Sequence, residues 1–210
     1  MSDTQKPDVF SVSVRALADF NQTEGDLIGT FRPSPSAFEG QQTHKLTQDS
    51  RDNDYRAEVS LSGQWQSERL TLTISGRADG VYPNGVEEIK TSRIPANEIP
   101  ATAKQQHRVQ ARIYAALLVM STDTADAIEV KVTYVHPQTL KQWSDVETIN
   151  RTELVDMFIT YCARYDAWLE KLRSHRQART AFLKHLTFPY GEMRAGQRQM
   201  AESVYKSCCT

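Results

Sequence analysis

Two acids and a lysine lie close together around one short turn of the chain. In the segment SGRADGVYPNGVEEIKTSR, Asp79 precedes an Asn-Gly dipeptide at 84–85, and Glu88 and Lys90 follow it. Two carboxylates held near each other repel unless a cation or a proton neutralises them. A divalent cation between such acids activates water and stabilises charge on a phosphoryl oxygen. The alternative is a surface hairpin whose acids pair with Lys90 and Arg77.

The turn itself predicts which of these side chains share a face. Asn-Gly at 84–85 predicts a two-residue type I′ hairpin, because that turn needs a positive φ at both central residues. The register then pairs position 79 with 90 and position 81 with 88, which places Asp79, Glu88 and Lys90 on one face. Asp79 and Glu88 become diagonal neighbours, about 7 to 8 Å apart, and both can reach one ion. Glu87 is predicted to point to the other face.

Strands and helices must position these residues. Alternation of apolar and polar residues predicts strands in YRAEVSLSGQW, ERLTLTISGRADGVY and GVEEIKT. The segment IPATAKQQHRVQARIYAALLVM changes to the period of an amphipathic helix. A second hairpin is predicted around 136–139, and a long helix from 151 to about 186. This order predicts an α/β or mixed α+β fold, with a central mixed sheet flanked by helices and a C-terminal helical extension.

Composition narrows the class of protein. A chain of 210 residues with 39% hydrophobic content can bury a sizeable core. Its longest apolar run is far shorter than a membrane span, and MSDTQKPD is not a signal peptide, so we expect a cytoplasmic protein without a membrane partner. Three cysteines without metal-ligand spacing predict reduced thiols and neither zinc nor an iron-sulfur cluster. Five basic residues and one acid lie between 90 and 120, which fits DNA contact or a solvated helix face.

Four short motifs occur in an order that resembles a known family. They are G-x-x-x-H at 40–44, G-R-x-D at 76–79, E-x-K at 88–90 and Q-x-x-x-Y at 110–114. Together they resemble the PD-(D/E)XK nucleases, specifically the RecB-type branch. The resemblance covers most of the stretch from about 9 to 148 and implies a restriction-endonuclease-like core.

The resemblance also implies a set of site residues. His44, Asp79 and Glu88 would bind Mg²⁺ or Mn²⁺, with the backbone carbonyl of Ile89 as a further ligand. Asp79, Glu88 and Lys90 would form the catalytic set, with Lys90 as the catalytic lysine. The chain departs from the family by carrying Glu88 where aspartate is commoner, and it lacks the four-cysteine cluster of some members.

The predicted helix supplies candidate contacts with DNA. By the resemblance, Gln110 and Tyr114, one turn apart on one helix face, contact DNA or orient the site. Arg108 and Arg112 carry the charge that phosphate contacts need. Two alternatives stay open: Gln106 offers the same chemistry as Gln110 one turn earlier, and Tyr114 is equally suited to the core.

The end of the chain resembles a different family. FPYGEMRAGQRQMAESVY is similar to the entry segment of XPD/DinG-type superfamily 2 helicases. The resemblance implies that Phe188, Tyr190, Arg194 and Gln197 lie near the adenine of ATP. The phosphate loop G-x-x-x-x-G-K-[ST] does not occur in the 210 residues, so we expect ATP to bind only through a helicase domain absent from this chain.

These patterns predict three regions and one function. The regions are a nuclease core at 1–150, a helical extension or linker at 151–186 and the start of a helicase domain at 187–210. The predicted function is a metal-dependent DNase that acts on single-stranded or flapped DNA, as the nuclease portion of a helicase-nuclease in DNA repair. DNA and the downstream helicase domain are the expected partners. The alternative is an inactive nuclease-fold module that binds DNA or docks substrate for the helicase, and RNA also stays open as the nucleic acid.

Overall fold

Six strands form a single mixed sheet. A computed structural model of the chain describes residues 8–22, 35–122, 126–187 and 191–208. The strands are β1 (Asp8–Ser13), β2 (Arg56–Gln66), β3 (Leu70–Tyr82), β4 (Gly85–Thr91), β5 (Ala127–Val135) and β6 (Gln142–Asn150). The helices are α1 (Val14–Gln22), α2 (Ala37–Asp49), α3 (Ala101–Ser121), α4 (Arg151–Leu183) and α5 (Gln197–Cys208), with a 3₁₀ turn at Ala96–Glu98.

The sheet has both parallel and antiparallel pairs. Its order is β1-β3-β4-β5-β6, and β2 pairs with β3. Strand β1 is parallel to β3, and β4 is parallel to β5. Strands β2 and β4 both run antiparallel to β3, and β6 runs antiparallel to β5. The connection from β4 to the parallel β5 passes through α3, as a parallel crossover requires. The predicted class, a central mixed sheet flanked by helices with a C-terminal helix, is confirmed.

Strand β3 is long and pairs with three different strands. One edge carries β2, whose ladder covers residues 71–81. On the other edge, β1 pairs with residues 70–75 and β4 pairs with residues 80–82. Residues 76–79 therefore lie between two ladders on that edge, and Asp79 is the last of them. This interruption places a carboxylate where the sheet divides.

The hairpin from β3 to β4 turns one residue earlier than predicted. Tyr82 pairs with Gly85, so the two loop residues are Pro83 and Asn84. Among the described residues, neither Asn84 nor Gly85 is one of those with a positive φ, so the predicted type I′ turn is wrong. Proline at the second position and glycine at the fourth are the preferences of a type I turn. Proline fixes its own φ near −65° and so selects this turn over the Asn-Gly signal.

The earlier turn changes the register but not the faces. Each pairing shifts by two positions in total, and a shift of two leaves every side chain on its predicted face. Continued from the ladder at 80–82, the register puts Asp79 directly opposite Glu88. The prediction that these two residues are diagonal neighbours is therefore wrong, and they are closer in register than expected.

Gly85 is constrained by its neighbours. A Cβ atom built at this position would lie 2.4 Å from the carbonyl oxygen of Glu129 in β5 and 2.6 Å from the ring of Tyr82. Because the nearest atom belongs to the backbone of a paired strand, an added methyl group must push β4 and β5 apart. We expect Gly85→Ala to lower the free energy of unfolding by about 1–3 kcal/mol, measured by urea denaturation.

Gly40 gives the matched control for this substitution. It lies in helix α2, and a Cβ atom there would meet no atom within 4 Å. Gly40→Ala should leave stability unchanged or raise it by up to about 1 kcal/mol, because alanine loses less backbone entropy in a helix. Equal stability changes for the two variants would contradict the close approach at Gly85.

Helix α3 covers the centre of the sheet. Pro100 is the N-cap residue of this helix. The prolines before residue 101 disfavour helical backbone at the residues that precede them, so the helix does not begin earlier. The predicted apolar stripe is buried at Val109, Ile113 and Leu117, whereas Met120 at the end of the helix is 36% exposed. Burying an aliphatic side chain of this kind stabilises the folded state by about 1.5–3 kcal/mol relative to leaving it exposed. The helix therefore forms a fixed support for the polar residues on its other positions.

The chain divides into two compact units, Met1–Ala167 and Trp168–Thr210. The first contains the sheet, α1 to α3 and the start of α4, where Leu154, Phe158 and Cys162 are buried. The second contains the rest of α4 and also helix α5, and every residue of α5 is exposed. No helix in the described ranges is long and apolar enough to cross a membrane.

Candidate active site

Asp79 is held by the backbone of the neighbouring strand. Its Oδ2 accepts a hydrogen bond from the backbone N–H of Ile89, at 2.7 Å. This contact replaces the ladder that would otherwise continue from residues 80–82. The carboxylate is thus fixed at the division of the sheet, with its second oxygen directed to helix α2.

His44 approaches Asp79 from helix α2. Its Nδ1 lies 3.6 Å from Asp79 Oδ1, and both side chains are mostly buried. The helix begins with a capping box, in which Ser36 accepts from the N–H of Glu39 and Glu39 accepts from the N–H of Ser36. This reciprocal pair satisfies two donors at the helix start and defines where α2 begins. Sequence positions 35 residues apart are brought together here, as the four-motif resemblance implied.

Two ion pairs attach helix α2 to strand β4 and the segment that follows it. Near the start of the helix, both carboxylate oxygens of Glu39 accept from Arg93, each at 2.7 Å. Just after the end of the helix, Arg51 donates to both oxygens of Glu87, at 3.0 and 2.6 Å. His44 lies between these two attachments. The bonds to Arg93 and Ser36 lower the pKa of Glu39 to about 2, with the Ser36 backbone bond the larger cause.

Glu88 and Lys90 form a buried ion pair beside Asp79. Lys90 Nζ lies 2.6 Å from Glu88 Oε1, and the Glu88 side chain is only 4% exposed. Glu88 Oε2 is buried without a hydrogen-bond partner. Burial, followed by the nearby Asp79 charge, raises the pKa of Glu88 to about 7, although Lys90 and His44 act in the opposite direction. The surroundings of Glu88 therefore disfavour its charged form.

Glu87 contacts a separate set of residues. Besides Arg51, its Oε1 lies 3.3 Å from Lys131 Nζ and accepts from the hydroxyl of Thr133. Burial opposes ionisation of Glu87, but the bonds to Arg51 and Thr133 and the Lys131 charge lower its pKa below the usual value. None of these partners contacts Glu88, so the prediction that the two adjacent glutamates point apart is confirmed.

Helix α3 contributes the predicted glutamine and tyrosine. Gln110 Oε1 accepts from Lys90 Nζ at 3.2 Å, which brings this helix residue to the predicted catalytic lysine. Tyr114 is 5% exposed and packs on β3, where a Cβ at Gly76 would lie 2.7 Å from its hydroxyl oxygen. Burial and the charges of Glu88 and Asp79 raise the pKa of Tyr114. Gln106 instead donates to Asp19 of α1.

Arg108 and Arg112 are bound to carboxylates of strand β6. Arg108 pairs with Asp145, and Arg112 makes two bonds to Glu147, at 2.7 and 2.5 Å. The predicted phosphate contacts of these two arginines stay a prediction. To reach a phosphate, each guanidinium would have to leave a carboxylate that already binds it.

His44, Asp79 and Glu88 are the candidate donors for a divalent cation. Among residues 8–22, 35–122, 126–187 and 191–208, no three His, Cys, Asp or Glu side chains already stand at the spacing of a bound metal ion. The chemistry of the donors nevertheless fits: Asp79 and Glu88 supply carboxylate oxygens, and His44 supplies a ring nitrogen. The unpartnered buried Oε2 of Glu88 is a vacant acceptor of the kind that a cation satisfies.

Gln48 and Glu58 also lie beside Asp79. Gln48, one turn after His44, donates its side-chain amide to the Asp79 carbonyl at 2.8 Å and to Glu58 Oε1 at 3.0 Å. Glu58 has a φ of 55°, a left-handed backbone that costs a non-glycine residue about 1–2 kcal/mol, and it stands opposite Asp79 in the β2–β3 register. The four-residue spacing from His44 to Gln48 was the only available signal.

Two of the predicted nucleotide-binding residues, Phe188 and Tyr190, lie outside the described residues. Gln197 begins helix α5, and its Oε1 accepts the backbone N–H of Arg194 at 2.8 Å. This bond satisfies the N–H of Arg194, three residues before the helix. The role of Gln197 near adenine stays a prediction.

Comparison with known proteins gave structural similarities only. No family model and no curated protein matches the chain. The solved structure of SSO0001 is 22% identical with a TM-score of 0.46, covering 73% of this chain and 75% of its own. A phage related exonuclease from Haemophilus somnus 129PT is 16% identical with a TM-score of 0.42, covering 78% of this chain and 82% of its own. At these identities and scores the two structures carry no functional inference for this chain.

Proposed function

We propose that this chain is a metal-dependent DNase of the PD-(D/E)XK type that hydrolyses DNA phosphodiester bonds. The observation that carries the proposal is the buried Glu88, with one oxygen on Lys90 and the other unpartnered, beside the His44–Asp79 pair. A buried carboxylate with an unpartnered oxygen is costly, and a site for a cation is a physical reason to retain it.

The chain's own residues have distinct roles in this proposal. His44, Asp79 and Glu88, with the Ile89 carbonyl, would hold Mg²⁺ or Mn²⁺. When bound, such an ion supplies a water of lowered pKa and neutralises charge on the phosphate. The N–H of Ile89 keeps Asp79 oriented, and this bond limits motion of the carboxylate.

Lys90 is the residue we assign to the reacting phosphate. Its ammonium has acceptors at Glu88 Oε1 and Gln110 Oε1, which direct it between β4 and α3. Lysine has three N–H donors, so one beyond these two can donate to a phosphate oxygen or position the attacking water. Hydrogen bonds that strengthen as negative charge develops on the phosphate lower the barrier to hydrolysis.

The proposal includes a larger context for this nuclease. We infer that it precedes an XPD/DinG-like helicase domain in a helicase-nuclease that acts in DNA repair. Helix α5 supports a continuing domain because it exposes Met200, Val204 and Tyr205, at 66%, 58% and 70%. Apolar side chains at this helical spacing are usually buried by further structure. ATP and Gln197 belong to that domain, and the regions 1–150, 151–186 and 187–210 stay predictions.

A metal titration combined with a cleavage assay tests the proposal. The purified chain should cut labelled single-stranded or flap DNA with Mn²⁺ and stop cutting with EDTA. His44→Ala should weaken Mn²⁺ binding by at least about 10-fold, measured by calorimetry, because it removes the only nitrogen donor of the set.

His175→Ala is the matched control, since His175 lies on the exposed part of α4. It should leave both Mn²⁺ binding and cleavage unchanged. DNA binding that is equal with Mn²⁺ and with EDTA, together with no cleavage of any substrate, would instead support the alternative of an inactive DNA-binding module.

A further inference from the structure

A cleft of about 480 Å³ lies between the β5–β6 hairpin and the segment that follows β4. It is formed by the segment after β4, residues 92–97, and by the turn and strand ends of the β5–β6 hairpin. Tyr134 and Trp143 supply aromatic rings to its wall, and Trp143 is 43% exposed. Of the described residues that line the cleft, two are cations, Lys141 and Arg93, and none is acidic, although Arg93 already binds both carboxylate oxygens of Glu39.

The strand register joins this cleft to the catalytic lysine. Lys90 pairs with Tyr134 across β4 and β5, and Tyr134 pairs with Trp143 across β5 and β6. Neighbouring strands lie about 4.8 Å apart, so Trp143 stands about 10 Å from Lys90 along this row. The rings of Tyr134 and Trp143 are 5.5 Å apart with an interplanar angle of 33°. Aromatic groups therefore continue outward from the site along one line.

Helix α3 places a further cation, Lys104, beside this row. Lys104 Nζ lies 5.1 Å from the centre of the Trp143 ring. His107, one turn further along the helix, contacts the Tyr134 hydroxyl at 3.1 Å. Burial lowers the pKa of His107 to about 3, so it acts as a neutral spacer. The positive charge that a phosphate could meet near the cleft therefore comes from Lys104 and Lys141, because Arg93 already binds Glu39.

We propose that this cleft binds an unpaired base of single-stranded DNA, stacked at Trp143, while the adjoining backbone passes Lys90; the inference rests on the proposed nuclease function. An exposed aromatic ring stacks on any base, and cations beside it bind the backbone phosphates. A volume of about 480 Å³ lies within the range of small-ligand sites. A base within a duplex is stacked and paired, so it would have to leave the helix before it could enter.

Binding without cleavage provides the direct test. A fluorescent twelve-residue oligo(dT) is titrated with the chain in EDTA, and its anisotropy gives Kd. Trp143→Ala should raise Kd by about 5- to 150-fold, and Trp143→Phe should raise it less because a smaller ring remains. A blunt duplex should show the same Kd with the wild-type chain and with both variants.

Two controls distinguish base stacking from loss of fold. Trp168→Ala removes an exposed tryptophan of α4 and should leave the Kd for oligo(dT) unchanged. In a Trp65→Phe, Trp168→Phe chain, Trp143 is the only tryptophan, and its fluorescence should be quenched by oligo(dT) but not by an abasic oligomer of the same length.

The outcomes separate this inference from the proposed function. Quenching and a Trp143-dependent Kd in a chain that cuts nothing with Mn²⁺ would support the cleft and refute the nuclease. Cleavage of single-stranded DNA with no quenching, and with an unchanged Kd in Trp143→Ala, would overturn the cleft and leave the nuclease. An equal loss of duplex binding in Trp143→Ala would also overturn it.

Discussion

Lys90→Met protein should fold and bind Mn²⁺ yet lose at least about 100-fold of its Mn²⁺-dependent cleavage rate. Methionine keeps the length of the side chain but removes the ammonium that contacts Glu88 Oε1 and Gln110 Oε1. One hydrogen-bond donor directed at charge that develops in the transition state contributes about 100- to 1,000-fold to the rate. Initial rates on a labelled single strand, at saturating Mn²⁺, provide the measurement.

Lys90→Met should not weaken metal binding, although it should abolish most of the cleavage. Lys90 now occupies one oxygen of Glu88, so it competes with a cation for that carboxylate. Mn²⁺ should therefore bind Lys90→Met at least as tightly as the wild-type chain, in contrast to His44→Ala. Lys171→Met, on an exposed position of α4, is the matched control and should keep the full rate. A cleavage rate for Lys90→Met within about threefold of wild type would remove Lys90 from the mechanism.

The faces of the central hairpin could be predicted because side chains alternate with a period of two. The predicted turn was wrong by one residue, since Pro83 outweighed the Asn-Gly signal. That error displaced both strands by one position each, and the two displacements together preserved the faces. Glu87 and Glu88 were accordingly assigned to opposite sides, which their separate partners confirm. The faces predicted from local periodicity are therefore correct even though the predicted turn was wrong by one residue.

Contacts between distant segments could not be predicted in the same way. The interruption of β3 pairing at residues 76–79 depends on where β1 ends and β4 begins on one edge, and no local pattern encodes that relation. The approach of His44 to Asp79 was expected only through the family resemblance. The carboxylates that bind Arg108 and Arg112 come from β6, more than 30 residues later. Periodicity and propensity predict a single helix or strand, whereas the side chains that it contacts in distant segments depend on how the elements pack.

The pair of Arg51 and Glu87 has the largest expected effect on stability. Glu87 is fully buried, and Arg51 binds both of its oxygens. Arg51→Ala would remove the guanidinium that binds both oxygens of this buried carboxylate and leave Lys131, at 3.3 Å, as a cation beside it. Removing one partner of a buried ion pair typically costs about 3–5 kcal/mol, so the free energy of unfolding should fall by that amount in a urea titration.

Arg93→Ala gives the comparison that isolates burial. Arg93 also binds both oxygens of a glutamate, Glu39, but that pair lies at the surface, where water replaces a lost partner. We therefore expect a much smaller loss from Arg93→Ala, although both arginines attach α2 to the region of β4. A double-mutant cycle of Arg51→Ala with Glu87→Ala should show the two losses to be less than additive, because either substitution removes the same contact. Equal losses from Arg51→Ala and Arg93→Ala would mean that helix attachment, rather than an uncompensated buried charge, determines the stability of this site.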